Sequence, residues 1–332
     1  MRDGLMQLAA LVVIVFGLQA ARSWMLPICF ALLLAVLASV PLRWLGRRGV
    51  PRALAVVLSA GAVLGGGWLC VLAFTSAVRD FVTRLPVYRE HLGQLLEDSV
   101  AWFASIGVEI DVRSLLESIE PRAWLGFAQQ GVGGALGLLS ALFLMLFALA
   151  FSLWEGDALH QRLRDAYGDD WQESRALRMV GDLQRYLGVK TATSLLTGLA
   201  VFGLNVLLGV ESALLWGLLA FLLNYVPIVG SIVAAVPPVL LTMAAPELGM
   251  VTAAWLALGY LVANSVVSNL LEPVLMGQQL GMTAFAVLLS LVFWGWVWGA
   301  GGMFLAAPLT VVVGTVVGGR ADLGLLRALI GR

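Results

Sequence analysis

Charge is what this sequence has least of. Only 12% of its 332 residues are charged, against 61% that are hydrophobic, whereas a soluble domain has about 25% charged residues. The formal net charge is +0, so the chain lacks the overall basic field that attracts nucleic acid, and we expect no nucleic-acid partner. The composition predicts an all-α polytopic membrane protein in contact with lipid.

Cysteine and histidine are also scarce. The two cysteines, Cys29 and Cys70, lie far apart in apolar runs, which excludes a disulfide framework and a cysteine-based metal site. The two histidines, His91 and His160, both lie in polar segments, so a membrane-embedded nucleophile such as Ser231 would have no histidine base nearby in sequence. We therefore expect no enzyme, no metal site and no cofactor.

The first part of the chain has the pattern of membrane helices. A membrane span needs about 20 apolar residues, and the runs 5–21, 24–42 and 53–77 fit that length. The loop 43–52 between the last two is basic and has no acid, which places it and the N-terminus in the cytoplasm. We interpret residues 1–77 as membrane helices that support the rest of the protein.

Two polar segments flank a further membrane helix, predicted over residues 124–154. In residues 78–123, apolar residues recur at helical spacing and acids outnumber bases, which predicts an external amphipathic helical segment that packs on the membrane domain or on another subunit. Residues 155–190 carry mixed charge, and we predict a helical segment on the cytoplasmic side.

The last part of the chain has no basic residue between Thr191 and Gly319. We predict a transport domain over residues 191–319, followed by a cytoplasmic tail over 320–332. Two apolar runs within this domain, 212–245 and 283–317, are too long for one simple crossing.

Both runs are interrupted by helix-breaking residues. In the first, Pro227 removes a backbone donor and Gly230 tolerates turns, while Asn224 and Ser231 are polar where hydrocarbon is expected. Freed backbone groups survive in lipid only where protein or water covers them, and broken helices commonly form the binding sites of secondary transporters. We predict two re-entrant helical hairpins that form an inverted repeat with tips that meet. The alternative is one tilted or kinked helix for each run.

A polar stripe follows the first interrupted run. Asn264 and Ser268 are four residues apart, as are Ser265 and Asn269, and Glu272 continues the same side. These groups either line a pathway or form interhelical hydrogen bonds, which are worth about 0.6 kcal/mol each. Glu272 has no basic residue near it in sequence, which makes it the candidate for proton coupling, with a carboxylate in headgroup water as the alternative.

Three motifs resemble those of the autoinducer-2 exporter family of bacterial permeases: Asn224-Tyr-Val-Pro-Ile-Val-Gly230, Leu271-Glu-Pro-Val-Leu-Met-Gly277 and Trp298-Gly-Ala-Gly-Gly-Met-Phe-Leu-Ala-Ala-Pro-Leu309. The sequence departs from the family at Ser231 and Ala284, where many members have proline. The resemblance implies about eight membrane segments, a homo-oligomer such as a pentamer, and export of a small polar solute.

Some relatives exchange sodium or lithium ions for protons, so the resemblance leaves monovalent cation/proton antiport open, with Na+ or H+ as the coupling ion. A non-transporting scaffold is the third alternative. We expect the bacterial inner membrane as the location, with both termini cytoplasmic. The predicted substrate and ion pathway consists of Asn224, Tyr225, Pro227, Gly230, Ser231, Asn264, Ser268, Asn269, Glu272, Pro273, Gly299 and Gly302.

Overall fold

A computed structural model describes residues 2–105, 165, 175–227, 229–245, 247–276 and 284–317. Within these ranges the regular structure is helical throughout, without a β-strand. The predicted membrane helix over 124–154, the end of the amphipathic segment and the tail over 320–332 lie outside the described residues.

The described helices follow the chain in a simple order. Their bounds are α1 Arg2–Ala20, α2 Arg22–Arg47, α3 Arg52–Ser105, α4 Arg175–Leu207, α5 Ala213–Leu223, α6 Val229–Ala244, α7 Gly249–Asn264, a π-helical segment Ser265–Leu271, α8 Glu272–Met276, α9 Ala284–Trp298 and α10 Ala300–Val317.

Four stretches are long and apolar enough to cross a membrane: Arg22–Arg47, Arg52–Arg84, Gly181–Leu207 and Gly249–Leu275. The first two contain the spans predicted over residues 24–42 and 53–77. The structure thus agrees with a multi-pass helical membrane protein.

Helix α3 is a single helix of 54 residues, about 80 Å long at 1.5 Å per residue. The predicted boundary at residue 77 is therefore not a break in the backbone, and the membrane span continues into the amphipathic segment without a turn. Helix α4 likewise runs through the predicted boundary at residue 190. Hydropathy changes at both places, but the backbone hydrogen-bond pattern does not.

The chain forms two compact units. The first unit comprises Met1–Gly65, Gly137–Lys190 and Pro273–Arg332. Small residues make its α2–α3 packing, with Ala38 fully buried. Helix α10 packs against α2 through Phe30 and Phe304, whose ring centroids are 5.8 Å apart.

The second unit comprises Gly66–Leu136 and Thr191–Glu272. Its core is built around Trp216 and Phe81, which meet edge to face at 5.4 Å. Phe81 belongs to the apolar stripe that the sequence shows in residues 78–123, and its burial means that the start of this stripe packs against the membrane domain. Arg84 and Glu211 form an ion pair next to it, with an N–O distance of 2.5 Å.

In the structure each over-long run folds as two helices that pack on each other, while the re-entry of these hairpins into a membrane stays a prediction. In the first, α5 ends at Leu223, the chain turns through residues 224–227, and α6 packs back on α5. In the second, Gly299 has φ +68°, and Ser290 of α9 donates to the carbonyl of Ala306 in α10 at 3.0 Å. The 11 residues of α5 reach about 16 Å, short of the roughly 30 Å hydrocarbon core.

The break in the first hairpin follows from its residues. Pro227 disfavours helical dihedrals at the residue before it, and Val226 is a bend in which its amide donates to the carbonyl of Leu223 at 2.8 Å. Gly230 then lies so close to Leu223 that a Cβ atom there would overlap the Leu223 carbonyl oxygen. The reversal therefore depends on proline to end one arm and on glycine to let the arms approach.

Candidate functional site

A cavity of about 390 Å³ lies in the second unit beside the first hairpin. Helices α4, α5, α6 and α7 all contribute to its lining, and the volume is in the range of small-molecule sites, about 300–1,000 Å³. Its polar lining residues are Thr197, Asn224, Ser231, Tyr260 and Asn264, and the other lining residues are apolar.

Three helix ends bring polar side chains to one end of this cavity. Asn224 follows the last residue of α5, Ser231 lies in the first turn of α6, and Asn264 is the last residue of α7. The Ser231 hydroxyl donates to Oδ1 of Asn264 at 2.8 Å, and the Ser268 hydroxyl donates to the same atom at 3.2 Å. Three of the residues predicted from the sequence thus meet on the cavity, and Ser268 holds one of them in place.

Helix α4 supports the turn from behind. Asn224 is 4% exposed, and its amide nitrogen donates to the hydroxyl of Ser194, which is fully buried, at 2.9 Å. The Tyr225 hydroxyl donates to the hydroxyl of Thr191 at 2.8 Å. These two bonds hold the turn against α4 and aim Asn224 into the cavity.

A buried asparagine on α4 contacts the opposite wall. The amide nitrogen of Asn205 donates to the Val201 carbonyl at 2.8 Å and to the hydroxyl of Tyr260 at 3.3 Å. Its Oδ1 atom is buried and has no hydrogen-bond partner in the part of the chain that the structure describes. A buried amide oxygen without a partner costs free energy. Asn205 therefore leaves one unsatisfied hydrogen-bond acceptor close to the cavity.

The α4 residues Thr191, Ser194, Thr197 and Asn205 were not predicted from the sequence. A signal was present, because these polar residues recur every three to eight positions along one face of the apolar part of α4 that follows Lys190. Hydropathy averages over all faces and does not detect such a line of neutral polar groups.

Close helix packing fixes the walls of the cavity. A Cβ atom on Gly198 would lie 2.9 Å from the carbonyl oxygen of Gly217, and a Cβ atom on Gly217 would lie 2.9 Å from that of Gly198. Helices α4 and α5 therefore cross with their backbones in direct contact, as small residues allow in membrane proteins.

The helix that carries Asn264 widens directly after it. The π-helical segment Ser265–Leu271 precedes Pro273, whose ring would clash in an α-helix with the carbonyl four residues earlier, that of Asn269. The wider turn accommodates the proline, and such segments occur frequently at functional sites.

The remaining predicted residues lie away from the cavity lining. Pro227 lies in the turn, and Gly230 forms the close approach behind it. Asn269 and Pro273 are exposed, and Glu272 is partly buried. Gly299 and Gly302 belong to the second hairpin, in the other compact unit, so the expectation that the two tips meet stays a prediction.

The cavity can bind a neutral solute through hydrogen bonds. None of its lining residues is charged. Among the described residues, no group of three or more His, Cys, Asp or Glu side chains could hold a metal ion. The site therefore offers amides and hydroxyls at one end and aliphatic side chains along the rest.

Comparison of the sequence with known proteins identifies its family. The sequence profile of the AI-2E family transporters matches residues 8–319. The chain is similar to the AI-2 transport protein TqsA of Escherichia coli (strain K12), with 33% identity over 307 residues that cover 92% of this chain and 89% of the relative.

Two further relatives show the same extent of similarity. A candidate transport protein of Haemophilus influenzae is 31% identical over 316 residues, 93% of this chain and 90% of the relative. The candidate transport protein YhhT of Escherichia coli (strain K12) is 33% identical over 313 residues, 93% of this chain and 88% of the relative. The match over nearly the whole chain and the identity to these relatives lead to one assignment: this chain belongs to the AI-2E family, whose members are membrane transporters and not enzymes.

Proposed function

We propose that this protein is a secondary transporter that exports a small polar solute, such as a quorum-sensing signal of the autoinducer-2 type. The observation that carries the proposal is the helix break at residues 224–227, which delivers Asn224 to a cavity shared with Ser231 and Asn264. Broken helices at membrane depth with free hydrogen-bonding groups are typical of transporter binding sites. The likeness to TqsA, an AI-2 transport protein, supports the solute class.

Alternating access then requires the first hairpin to move. In this proposal both hairpins re-enter the membrane, and residues 191–319 move against the N-terminal helices. The protein resides in the bacterial inner membrane with both termini in the cytoplasm, and it assembles as a homo-oligomer, a pentamer in the form that the family resemblance implies.

A neutral solute fits the cavity better than a monovalent cation. A cation in a low-dielectric site loses its hydration, and the lining has no carboxylate to offset its charge. Glu272 is not one of the lining residues, although it directly follows the π-helical segment that continues α7. Solute export with proton coupling at Glu272 therefore ranks above Na+(Li+)/H+ antiport, and a scaffold would have no use for the cavity.

Efflux of AI-2 from preloaded proteoliposomes tests the proposal. We expect Asn224→Ala to lower the initial rate about tenfold, because a lost buried hydrogen bond costs about 1–3 kcal/mol and about 1.4 kcal/mol corresponds to a factor of ten. Thr252→Val is the matched control, since Thr252 lies on α7 outside the cavity lining and its hydroxyl donates to the Leu248 carbonyl. Equal rates for the two variants would contradict the assignment of the site.

The coupling role of Glu272 has its own test. Glu272→Gln keeps the size of the side chain and removes its charge, so we expect slower efflux and a flatter dependence of the rate on an imposed pH gradient. Efflux that keeps both its rate and its pH dependence would remove Glu272 from the mechanism. An imposed sodium gradient, applied to the unmodified protein, separates proton from sodium coupling.

A further inference from the structure

We propose that the cavity takes a neutral amphiphile: a solute with a hydroxyl or amide head and an apolar chain of medium length. This inference rests on the proposed function, because it takes the cavity to be the place where the transported solute binds. It goes further by stating that an apolar chain on the solute strengthens its binding, which the general class of small polar solutes does not imply.

The polar end of the cavity offers a solute one hydrogen-bond donor and one hydrogen-bond acceptor. Oδ1 of Asn264 receives both serine hydroxyls, and its Nδ2 group has no hydrogen-bond partner among the described residues. In Asn224 the Nδ2 group donates to the Ser194 hydroxyl, whereas its Oδ1 atom has no hydrogen-bond partner within the same described part of the chain. A hydroxyl or an amide can accept from the first and donate to the second.

The other end of the cavity is apolar. Val236, Val239 and Leu240 of α6 line it, and Leu240 lies nine residues after Ser231, about 13 Å along the helix. This distance fits a chain of several methylene groups extended away from the head. Two side chains of this wall, Val236 and Leu240, are 47% and 52% exposed, so an amphiphile dissolved in the bilayer can reach the cavity from the side.

Charge on the head would oppose binding. The lining residues include no Lys, Arg, Asp or Glu, so a carboxylate or ammonium head would lose its hydration without gaining a counter-ion. The cavity therefore discriminates by charge as well as by length, and the two properties can be tested separately with small commercial probes.

The test compares three probes by calorimetry on the full chain in lipid nanodiscs, with empty nanodiscs subtracted. The probes are 1,2-octanediol, 1,2-propanediol, which has the same head, and octanoate, which has the same number of carbons and a charged head. We expect 1,2-octanediol to bind about tenfold or more tightly than either, since each methylene buried adds about fourfold to affinity.

Two variants of α6 localise the binding. Val236 and Val233 are 47% and 49% exposed, and only Val236 lines the cavity. Val236→Trp fills the apolar end and should weaken 1,2-octanediol about tenfold or more by excluding its chain, whereas Val233→Trp points elsewhere and should change affinity less than about twofold. Equal binding of octanoate, or equal effects of the two variants, would overturn the inference.

The same chemistry could come from a bilayer lipid with a neutral glycerol head. Competition separates the sources: inhibition of AI-2 efflux by 1,2-octanediol that is lost in Val236→Trp assigns the cavity to the transported solute. Unchanged efflux with displacement of the probe by monoacylglycerol assigns it to lipid and overturns the inference. AI-2 efflux without binding of the probe defeats this inference alone, and binding without efflux defeats the proposed function alone.

Discussion

The two hairpins use the same backbone device and differ in what lies at their turns. In each, a glycine in the second arm lets the arms meet: Gly230 against the Leu223 carbonyl and Gly302 against the Trp294 carbonyl. The first turn takes several residues and includes Asn224, which faces a cavity. The second reverses at Gly299 alone.

The second turn is packed with aromatic side chains. Trp298 is buried and its indole nitrogen donates to the Leu18 carbonyl at 3.0 Å, while its ring lies 5.0 Å from that of Trp294. A Cβ atom on Gly299 would lie 2.9 Å from the guanidinium of Arg22, at the start of α2. A broken helix thus gives both turns a similar geometry, and only the first turn places a polar side chain, that of Asn224, on a cavity among the described residues.

Removing the shared glycines should have the largest effect. We expect Gly230→Ala and Gly302→Ala each to destabilise the protein by about 3 kcal/mol, because the added methyl group overlaps a backbone carbonyl that cannot rotate away. The measurement is the apparent Tm in detergent together with the monodisperse fraction. Gly61→Ala on α3 is the control, since nothing lies within 4 Å of that position and alanine favours a helix by about 0.5–1 kcal/mol. A tolerated alanine at Gly230 would mean that the two arms do not approach as described.

The support of the first turn gives the next largest effect. Asn224→Ala and Ser194→Ala should each lower stability by about 1–3 kcal/mol, because each leaves a buried polar group without its partner. In a double-mutant cycle, the two substitutions should cost less together than the sum of the single costs. Additive costs would show that the bond between Asn224 and Ser194 does not hold the turn.

The second hairpin should respond through stability alone. Ser290→Ala removes a hydroxyl that bonds to the Ala306 carbonyl and contacts Thr310, and we expect a loss of about 1 kcal/mol. Because Ser290 lies within the packed interface of α9 and α10, AI-2 efflux per folded protein should stay unchanged. A selective loss of efflux would give the second hairpin a direct part in binding.

The ion pair at the base of the first hairpin should matter least. Arg84 and Glu211 side chains are 53% and 44% exposed, and exposed pairs contribute about 0–1 kcal/mol. Arg84→Gln should therefore shift the apparent Tm only slightly, and the shift should shrink in high salt. A large shift that persists in high salt would mean that this pair anchors the hairpin.

The sequence predicts where a helix is broken better than where a helix continues without interruption. Pro227 inside an over-long apolar run identifies the first turn correctly, because a missing donor and a fixed φ act locally. The continuous α3 through residue 77 could not be found in this way, since hydropathy describes the surroundings of a helix and not its hydrogen bonds.

The sequence predicted the polar residues at the ends of α5, α6 and α7 that line the cavity, but not the residues of α4 that support them. Asn224, Ser231 and Asn264 were selected because each is a polar residue in an apolar run, and the structure brings them to one cavity. Their supports Ser194 and Thr191 lie in the part of α4 that follows Lys190, which has no charge and no proline to mark it. The π-helical segment was missed because spacing arguments assume 3.6 residues per turn throughout.

Thiol accessibility tests the central claim most directly. In a protein with Cys29 and Cys70 replaced by alanine, single cysteines are placed at Ser231 beside the first turn and at Ser290 in the second hairpin, and each variant is treated with a small water-soluble thiol reagent. If the first turn opens on a binding cavity, the cysteine at 231 reacts and AI-2 protects it, while the cysteine at 290 stays unreactive. Equal reaction at both positions without protection, or no reaction at 231, would contradict a solute site at the broken helix.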